Sequence, residues 1–428
     1  MADGNISLGA SRYEKQELGV LPGVPLSNIE PEDGEAQRKD VNESSEGGKQ
    51  AWLAVAGSFL VYFASFGVVN SFGYFQNFYQ QEYLQDSSPS TISFIGTLQI
   101  TLMYLSGAPA GALFDLYGSK AMALLVCRCR GIIVYVGNIF HEAKCRLAAI
   151  PRSPALTVVG QHFKKRRALA MGIVASGSSL GGVCLPVLFS KLVPRIGFPW
   201  SIRVGLLILL ICYAVAIAIS PSGNPKRKMK SIKDLLDYRG FLDIRYACLA
   251  AGAVASNLGT YVPFYYLGKS YTLQSPNTNS RIQPYLLPLI NASSLLGRLI
   301  GGHVADRVGL LNFLYPMVLF CGFVCMAMWY PATSPGVLVG FACLYGFGSG
   351  GLISVMPAAT AQIIPAERLG ARLGAFGTFT AFAFLTGTPI AGALIKSESR
   401  SGYQPLIIFA VCSSAIGFVK YLATNLTS

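Results

Sequence analysis

Two short stretches decide the fold of this chain: Gly111-Ala-Leu-Phe-Asp115-Leu-Tyr-Gly118-Ser-Lys120 and Gly302-His-Val-Ala-Asp306-Arg-Val-Gly309. Both carry the pattern Gly-x-x-x-Asp-x-x-Gly, and each follows a long apolar segment. Asp306 follows Asp115 by 191 residues (306 − 115), nearly half of the 428-residue chain. A charged turn that recurs at half the length of an apolar chain predicts a duplicated membrane protein of the carrier type.

The composition supports a membrane protein. The chain is 52% hydrophobic and only 13% charged, whereas soluble domains are about 25% charged. Its net charge of +14 comes with basic residues that cluster in short runs between apolar segments. Such runs are typical of the cytoplasmic loops of membrane proteins. We therefore expect the lipid bilayer, and no nucleic acid, as a partner.

Ten apolar segments are long enough to cross a bilayer, which requires about 20 residues in a helix. They are 52–76, 92–114, 168–192, 200–219, 244–267, 284–305, 311–329, 336–357, 373–395 and 403–423. The predicted fold class is an all-α membrane protein with two six-helix bundles, twelve nominal helices and both chain ends in the cytoplasm.

Two stretches outside these segments set the domain boundaries. Residues 1–50 are polar and predict a disordered cytoplasmic tail. Residues 221–243 contain Lys226-Arg-Lys-Met-Lys230 and predict a basic cytoplasmic linker. The N-terminal bundle is then 51–220, and the C-terminal bundle is 244–428.

The segment 121–160 does not fit this plan. Lys120 and the basic run at Lys164 are both expected in the cytoplasm, so two crossings must lie between them. The roughly 40 residues available barely suffice for two crossings and a turn. This segment also carries Arg128 and Arg130. We therefore predict that helices three and four form a defective or shortened pair, through a real deletion or a gene-model error.

Several motifs indicate a family. Val159-Gly-Gln-His-Phe-Lys-Lys-Arg-Arg-Ala-Leu-Ala-Met-Gly-Ile-Val-Ala-Ser-Gly177 resembles the basic loop that enters helix five in the major facilitator superfamily, in its fungal monocarboxylate-porter-like branch. Ser88-Pro-Ser-Thr-Ile-Ser93 resembles the lead into helix two of that branch, and Ala366-Glu-Arg-Leu-Gly-Ala-Arg372 resembles the turn before helix eleven. The resemblance covers about residues 47–422 and implies a secondary transporter. We expect no cofactor, and no metal because the cysteines lack the spacing of zinc ligands.

Arg298 is the sharpest candidate site. It lies inside the span 284–305, and a central arginine costs about 2.5–3.5 kcal/mol on insertion scales. A guanidinium at that depth can bind a carboxylate through two parallel hydrogen bonds. The alternative is a structural arginine that is bonded to carbonyl groups or extends toward the membrane edge near Asp306.

The resemblance implies further substrate-binding residues. Arg298 matches the substrate-contacting arginine of the family's helix eight. Animal members carry an aspartate implicated in proton coupling where this chain has Ser294, and a lysine in helix one where it has Asn70. These departures argue against proton-coupled lactate-type transport, so an uncharged or larger organic substrate is at least as well supported, and a coupled proton stays open. We add Asn291 and Tyr74 to the expected site, although most such tyrosines serve packing.

The two Gly-x-x-x-Asp turns are expected to latch the cytoplasmic side, because an aspartate can cap a neighbouring helix or pair with arginine. The expected gating residues are Asp115, Gly118, Lys120, Asp306, Arg307, Gly309 and Pro186. The superfamily motif has a basic residue after the aspartate, which Arg307 supplies and Leu116 does not. Pro186 lies in the small-residue face 172–186, which either only packs or provides a gating kink.

The leading hypothesis is a secondary transmembrane transporter that moves a small organic solute, monocarboxylate-like or other, by alternating access. A non-transporting sensor or inactive carrier on the same scaffold is the alternative. An enzyme is disfavoured, because Gly-x-Ser-x-Gly and His-Glu-x-x-His are absent and the chain has three histidines. We expect a multi-pass monomer in the plasma membrane, with an organelle membrane as the other possibility.

Overall fold

The computed structural model describes residues 48–105, 163, 166–220, 238–274, 282–365, 368–397 and 399–426. The α-helices are α1 (Lys49–Asn70), α2 (Phe72–Glu82), α3 (Pro89–Leu105), α4 (Arg167–Ile219), α5 (Ile244–Thr260), α6 (Val262–Gln274), α7 (Gln283–Val308), α8 (Leu310–Val324), α9 (Pro335–Ile363), α10 (Leu369–Ala393) and α11 (Gln404–Leu426). The predictions on Asp115, Gly118, Lys120 and the pair 121–160 concern residues outside this part of the chain, as do those on most of the tail and of the linker.

Each of the ten predicted spans overlaps one of these helices, and the all-α membrane class is confirmed. Seven helical segments of the described chain are long and apolar enough to cross a membrane, and Thr91–Leu105 is a shorter apolar helix. Helix α1 begins at Lys49, within the last two residues of the predicted tail 1–50.

Two predicted spans are interrupted. The span 52–76 breaks at Ser71, whose hydroxyl and backbone N–H both donate to the carbonyl of Gly67, at 2.6 Å and 3.1 Å. The span 244–267 breaks at Tyr261, just before Pro263, which has no backbone N–H to donate. The apolar runs are therefore continuous in sequence, but the helices are not.

The helix α4 consists of two arms that fold back on each other at Gly197. Gly197 has φ 77° and ψ 163°, which a residue with a side chain rarely adopts. A Cβ on Gly205 would lie 2.7 Å from the ring of Phe189, although 16 residues (205 − 189) of straight helix would separate them by about 24 Å. The prediction of two separate helices at 168–192 and 200–219 is therefore confirmed.

We call α1–α4 the first half and α5–α11 the second half. Within the first half, α1 packs closely on α4, since a Cβ on Gly67 would lie 2.8 Å from the Cα of Gly181. Helix α7 of the second half packs on both α4 and α9. The end of the bundle where α4 begins and α7 ends is called the Asp306 end, and α1, α4 and α7 position the candidate site.

Candidate functional site

Helices α4 and α7 run antiparallel and meet through glycines. A Cβ on Gly172 would lie 2.6 Å from the carbonyl oxygen of Arg298, and a Cβ on Gly302 would lie 2.6 Å from that of Ala168. The two backbones therefore approach more closely than any larger side chain would allow. Because α4 belongs to the first half and α7 to the second, this contact joins the two halves.

We expect Gly302→Ala to open this contact. The added methyl group meets backbone rather than a flexible side chain, and overpacking of this kind costs about 1–3 kcal/mol. Hydrogen exchange of the Ala168 and Leu169 amides should accelerate about tenfold or more. Gly377→Ala is the matched control, because its Cβ would lie 3.5 Å from the Tyr104 ring, at ordinary contact distance. Equal exchange in Gly302→Ala and the unchanged chain would show that the close approach is dispensable.

Arg298 lies at the centre of this contact. It is 2% exposed, and among the described residues it is the one buried side chain with a formal charge. Its Nη1 donates hydrogen bonds to the carbonyl oxygen of Ala175 and to the hydroxyl of Ser178, both on α4. In this structure the guanidinium therefore bridges the two halves. This is the structural role that the sequence left as the alternative to solute binding.

Asn70 extends the same network into α1. Its side-chain Nδ2 donates a 3.2 Å hydrogen bond to the carbonyl oxygen of Ser178. One turn of α7 before Arg298, the Ser294 hydroxyl accepts a 3.3 Å hydrogen bond from Ser179. The structure thus brings Asn70, Ser294 and Arg298 together around the 178–179 step of α4. Charge and family resemblance indicated these three residues, but nothing in the sequence indicated Ala175 or Ser178 beyond their place in a small-residue face.

Asn291 completes the buried polar group at the other end of the α4–α7 contact. It is fully buried, and its Nδ2 donates to the Leu287 carbonyl at 2.9 Å. Its Oδ1 has no hydrogen-bond partner among the described residues. A Cβ on Gly182 would lie 2.6 Å from that oxygen, so Gly182 lets α4 and the Asn291 amide approach each other.

Tyr74 is not joined to this network by any contact that the described residues reveal. Its ring stacks on Phe189 at 6.5 Å and meets Phe75 edge-on at 5.5 Å. It is half-buried within an aromatic group of α2 and α4. In this structure the contacts of Tyr74 are therefore those of a packing residue.

Asp306 holds the start of α4 in place. Its two carboxylate oxygens accept hydrogen bonds from the backbone N–H groups of Ala168 and Leu169, each at 2.9 Å. These groups belong to the first turn of α4, where N–H groups lack helical partners and the helix dipole favours a negative charge. Gly309 ends α7 with φ 98°, a conformation that favours glycine. The second Gly-x-x-x-Asp turn is thus a helix cap that connects the two halves.

Arg167 adds a second contact at the Asp306 end, and sequence reasoning missed it. Its Nη1 donates to the Ala361 carbonyl of α9 at 3.2 Å, and its Nε donates to the Phe163 carbonyl at 3.3 Å. Arg307, by contrast, is exposed at the end of α7. Pro186 keeps helical backbone angles within α4, whose chain reversal lies at Gly197. The gating roles of Arg307 and Pro186 stay predictions.

Comparison with known proteins assigns the chain to a family. The family model described as Major Facilitator Superfamily matches residues 147–336 and 291–427. MFS-type transporter 1 of Ophiocordyceps sp. is 33% identical over 404 residues, covering 91% of this chain and 88% of that protein. The agnestins efflux protein of Paecilomyces divaricatus is 34% identical and covers 98% of each chain.

Another relative contains residues that have no counterpart in this chain. The fujikurins efflux protein of Gibberella fujikuroi is 30% identical over 455 positions, which cover 98% of this chain and 95% of that protein. These positions exceed the 428 residues of the chain. At least 27 positions of the relative (455 − 428) therefore have no counterpart here.

Solved structures agree on the fold. The human organic anion transporter MFSD10 (TETRAN) superposes with a TM-score of 0.66 at 14% identity, covering 88% of this chain and 99% of that chain. A bacterial homologue of the iron transporter ferroportin in an outward-facing state superposes with a TM-score of 0.60, also at 14% identity and with the same coverage.

Proposed function

This chain belongs to the Major Facilitator Superfamily and is a multi-pass membrane transporter, and from that premise we propose that it exports an organic solute by alternating access. The observation that carries the proposal is the polar network of Asn70, Ser178 and Arg298, which is buried at the contact between the two halves. A buried charge within a membrane bundle marks a solute pathway by default. Relatives with efflux in their names support export rather than uptake.

We propose that the solute carries an oxygen acceptor at one end and a hydrogen-bond donor at the other. Arg298 offers the donors that bind the acceptor. Asn291 offers the Oδ1 acceptor that has no partner among the described residues. The two residues are seven positions apart on α7, or about 10 Å along the helix axis. A solute that reaches both is longer than a short monocarboxylate, and this supports a larger organic product over the lactate-type substrate of the monocarboxylate-porter-like branch.

We propose that no proton is coupled to export at this site. A proton relay needs a buried carboxylate or histidine. Among the described residues the buried polar side chains of α1, α4 and α7 are neutral apart from Arg298. Ser294 stands where the animal relatives named in the resemblance have an aspartate. We propose the plasma membrane as the site of export and the monomer as the transporting unit.

Transport in proteoliposomes tests this function. The purified chain is reconstituted with 4′-hydroxybiphenyl-4-carboxylate inside, a rigid probe with a carboxylate and a hydroxyl at opposite ends. Biphenyl-4-carboxylate, 4-hydroxybiphenyl and lactate are the controls that lack the hydroxyl, the carboxylate or the length. We expect the complete probe to leave fastest in a protein-dependent manner. Binding of the probe without any movement would support the sensor alternative, and the absence of both would refute the solute class.

We also expect a lengthened chain to transport better. We propose that the positions missing relative to the fujikurins efflux protein include residues of helices three and four, because the roughly 40 residues of 121–160 barely suffice for two crossings and a turn. A version in which this pair is restored to full length should have a higher melting temperature in detergent and a higher export rate. Equal stability and equal export of the two versions would refute the truncation and identify 121–160 as a native short hairpin.

A further inference from the structure

Ser178 is the point at which three helices of the site meet. Its carbonyl oxygen accepts the Nδ2 hydrogen bond of Asn70 from α1 at 3.2 Å. Its hydroxyl accepts a hydrogen bond from Arg298 of α7 and donates one to the Ala175 carbonyl, one turn back on α4, at 2.9 Å. The residue is 2% exposed. Ser178 therefore orients two proposed solute-binding side chains without being one of them.

The hydrogen bonds of Arg298 Nη1 leave this nitrogen no spare donor in the observed state. A guanidinium Nη carries two hydrogens. One is directed to the Ala175 carbonyl and the other to the Ser178 hydroxyl. Both acceptors belong to the first half of the chain, whereas Arg298 belongs to the second. A solute oxygen that binds Nη1 must therefore displace an acceptor of α4.

We propose that Ser178 is a positioning residue that competes with the solute for Arg298, so that solute binding weakens the contact between α4 and α7. This inference rests on the proposed function and assigns Arg298 two alternative sets of acceptors. In the structure the acceptors of Nη1 are the Ala175 carbonyl and the Ser178 hydroxyl, and in the solute-bound carrier one of them is replaced by a carboxylate or carbonyl oxygen of the solute. The solute shifts the equilibrium between the two states because it binds only the state in which α4 has released the guanidinium.

The competition predicts a gain of affinity when the Ser178 hydroxyl is removed. Ser178→Ala keeps the carbonyl that accepts from Asn70 and removes one acceptor of Arg298. The KM for 4′-hydroxybiphenyl-4-carboxylate should fall about tenfold, the low end of what one hydrogen bond to a charged group contributes. Ser178→Thr retains a hydroxyl and should restore the original KM. A merely structural serine would give no such fall in KM and no such rescue.

Ser176→Ala is the matched control. Ser176 is on the same helix and is 4% exposed, and its hydroxyl donates to the Ile173 carbonyl of its own helix at 2.6 Å. It makes no hydrogen bond to α1 or α7 among those that the described residues reveal. Ser176→Ala therefore tests for a general effect of deleting a buried hydroxyl from α4. We expect its KM to stay within about twofold of that of the unchanged chain.

A measurement without solute separates this inference from the proposed function. Spin labels at the exposed positions Arg166 and Val308 report the distance between the start of α4 and the end of α7. In Ser178→Ala the population with a longer distance should rise about five- to tenfold over the unchanged chain, and in Ser176→Ala it should not. An unchanged distance distribution in Ser178→Ala would overturn the inference even if the probe is transported. A longer distance would support it even if the probe proves to be the wrong solute.

Discussion

Arg298→Lys is expected to lower kcat/KM for export of the hydroxybiphenyl carboxylate by about 10- to 150-fold, which corresponds to one hydrogen bond to a charged group. Lysine keeps the charge but cannot reproduce the planar fork that binds a carboxylate through two bonds. It also cannot donate to the Ala175 carbonyl and the Ser178 hydroxyl in the geometry that Nη1 uses. The loss should therefore exceed the effect of any other substitution in the network.

The control for this substitution is Arg203→Lys. Arg203 is exposed on the second arm of α4, and its guanidinium lies 4.6 Å from the centre of the Trp200 ring. Arg203→Lys is the same substitution at a position outside the network, so the export rate should change little. Melting temperatures of both variants show whether the fold is intact. Normal export by Arg298→Ala would exclude Arg298 from the solute site and leave it only the structural role of bonding to Ala175 and Ser178.

Part of the site could be predicted from sequence, because two of its charged residues lie in or beside apolar segments. Arg298 and Asp306 both stand out, because a charge inside or beside a spanning helix is costly and must have a partner. Their partners did not stand out. Ala175 and Ser178 are small residues in a run of small residues, and only the rotation of α4 relative to α7 directs them at the guanidinium. The sequence periodicity of α4 does not determine that rotation, because this helix is apolar on most of its faces.

The helix interruptions illustrate the same limit. The spans were predicted from apolar length, which correctly separates the two arms of α4 because Gly197 and its neighbours break the apolar run. Ser71 lies between apolar residues and gives no such signal, yet α1 ends at Asn70 and α2 begins at Phe72. This boundary consists of a single residue. Hydropathy, which averages over about 20 residues, does not register it.

Asp306→Asn is expected to have the second largest effect, on the conformational equilibrium of the carrier rather than on solute binding. The carboxylate accepts two backbone N–H groups at the start of α4, each at 2.9 Å. An asparagine offers one oxygen acceptor and directs an NH₂ group at the second N–H, so a charge-assisted bond is replaced by a clash of donors. The loss of a hydrogen bond to a charged group costs about 1.5–3 kcal/mol. The state in which the Asp306 end is closed should therefore become about 10- to 150-fold less favoured.

Closure at this end is one of the two states through which an alternating-access carrier must pass, so the equilibrium shift should appear in the transport cycle. Spin labels on Arg166 and Val308 should report a longer mean distance in Asp306→Asn, and kcat for export should fall, whereas binding of the hydroxybiphenyl carboxylate should be retained because Arg298 is unchanged. Glu82→Gln is the control, since it removes one exposed carboxylate at the end of α2. If Asp306→Asn kept both the distance distribution and kcat, the cap on α4 would be a packing detail of this state, and closure would have to depend on Arg167 and the glycine contacts instead.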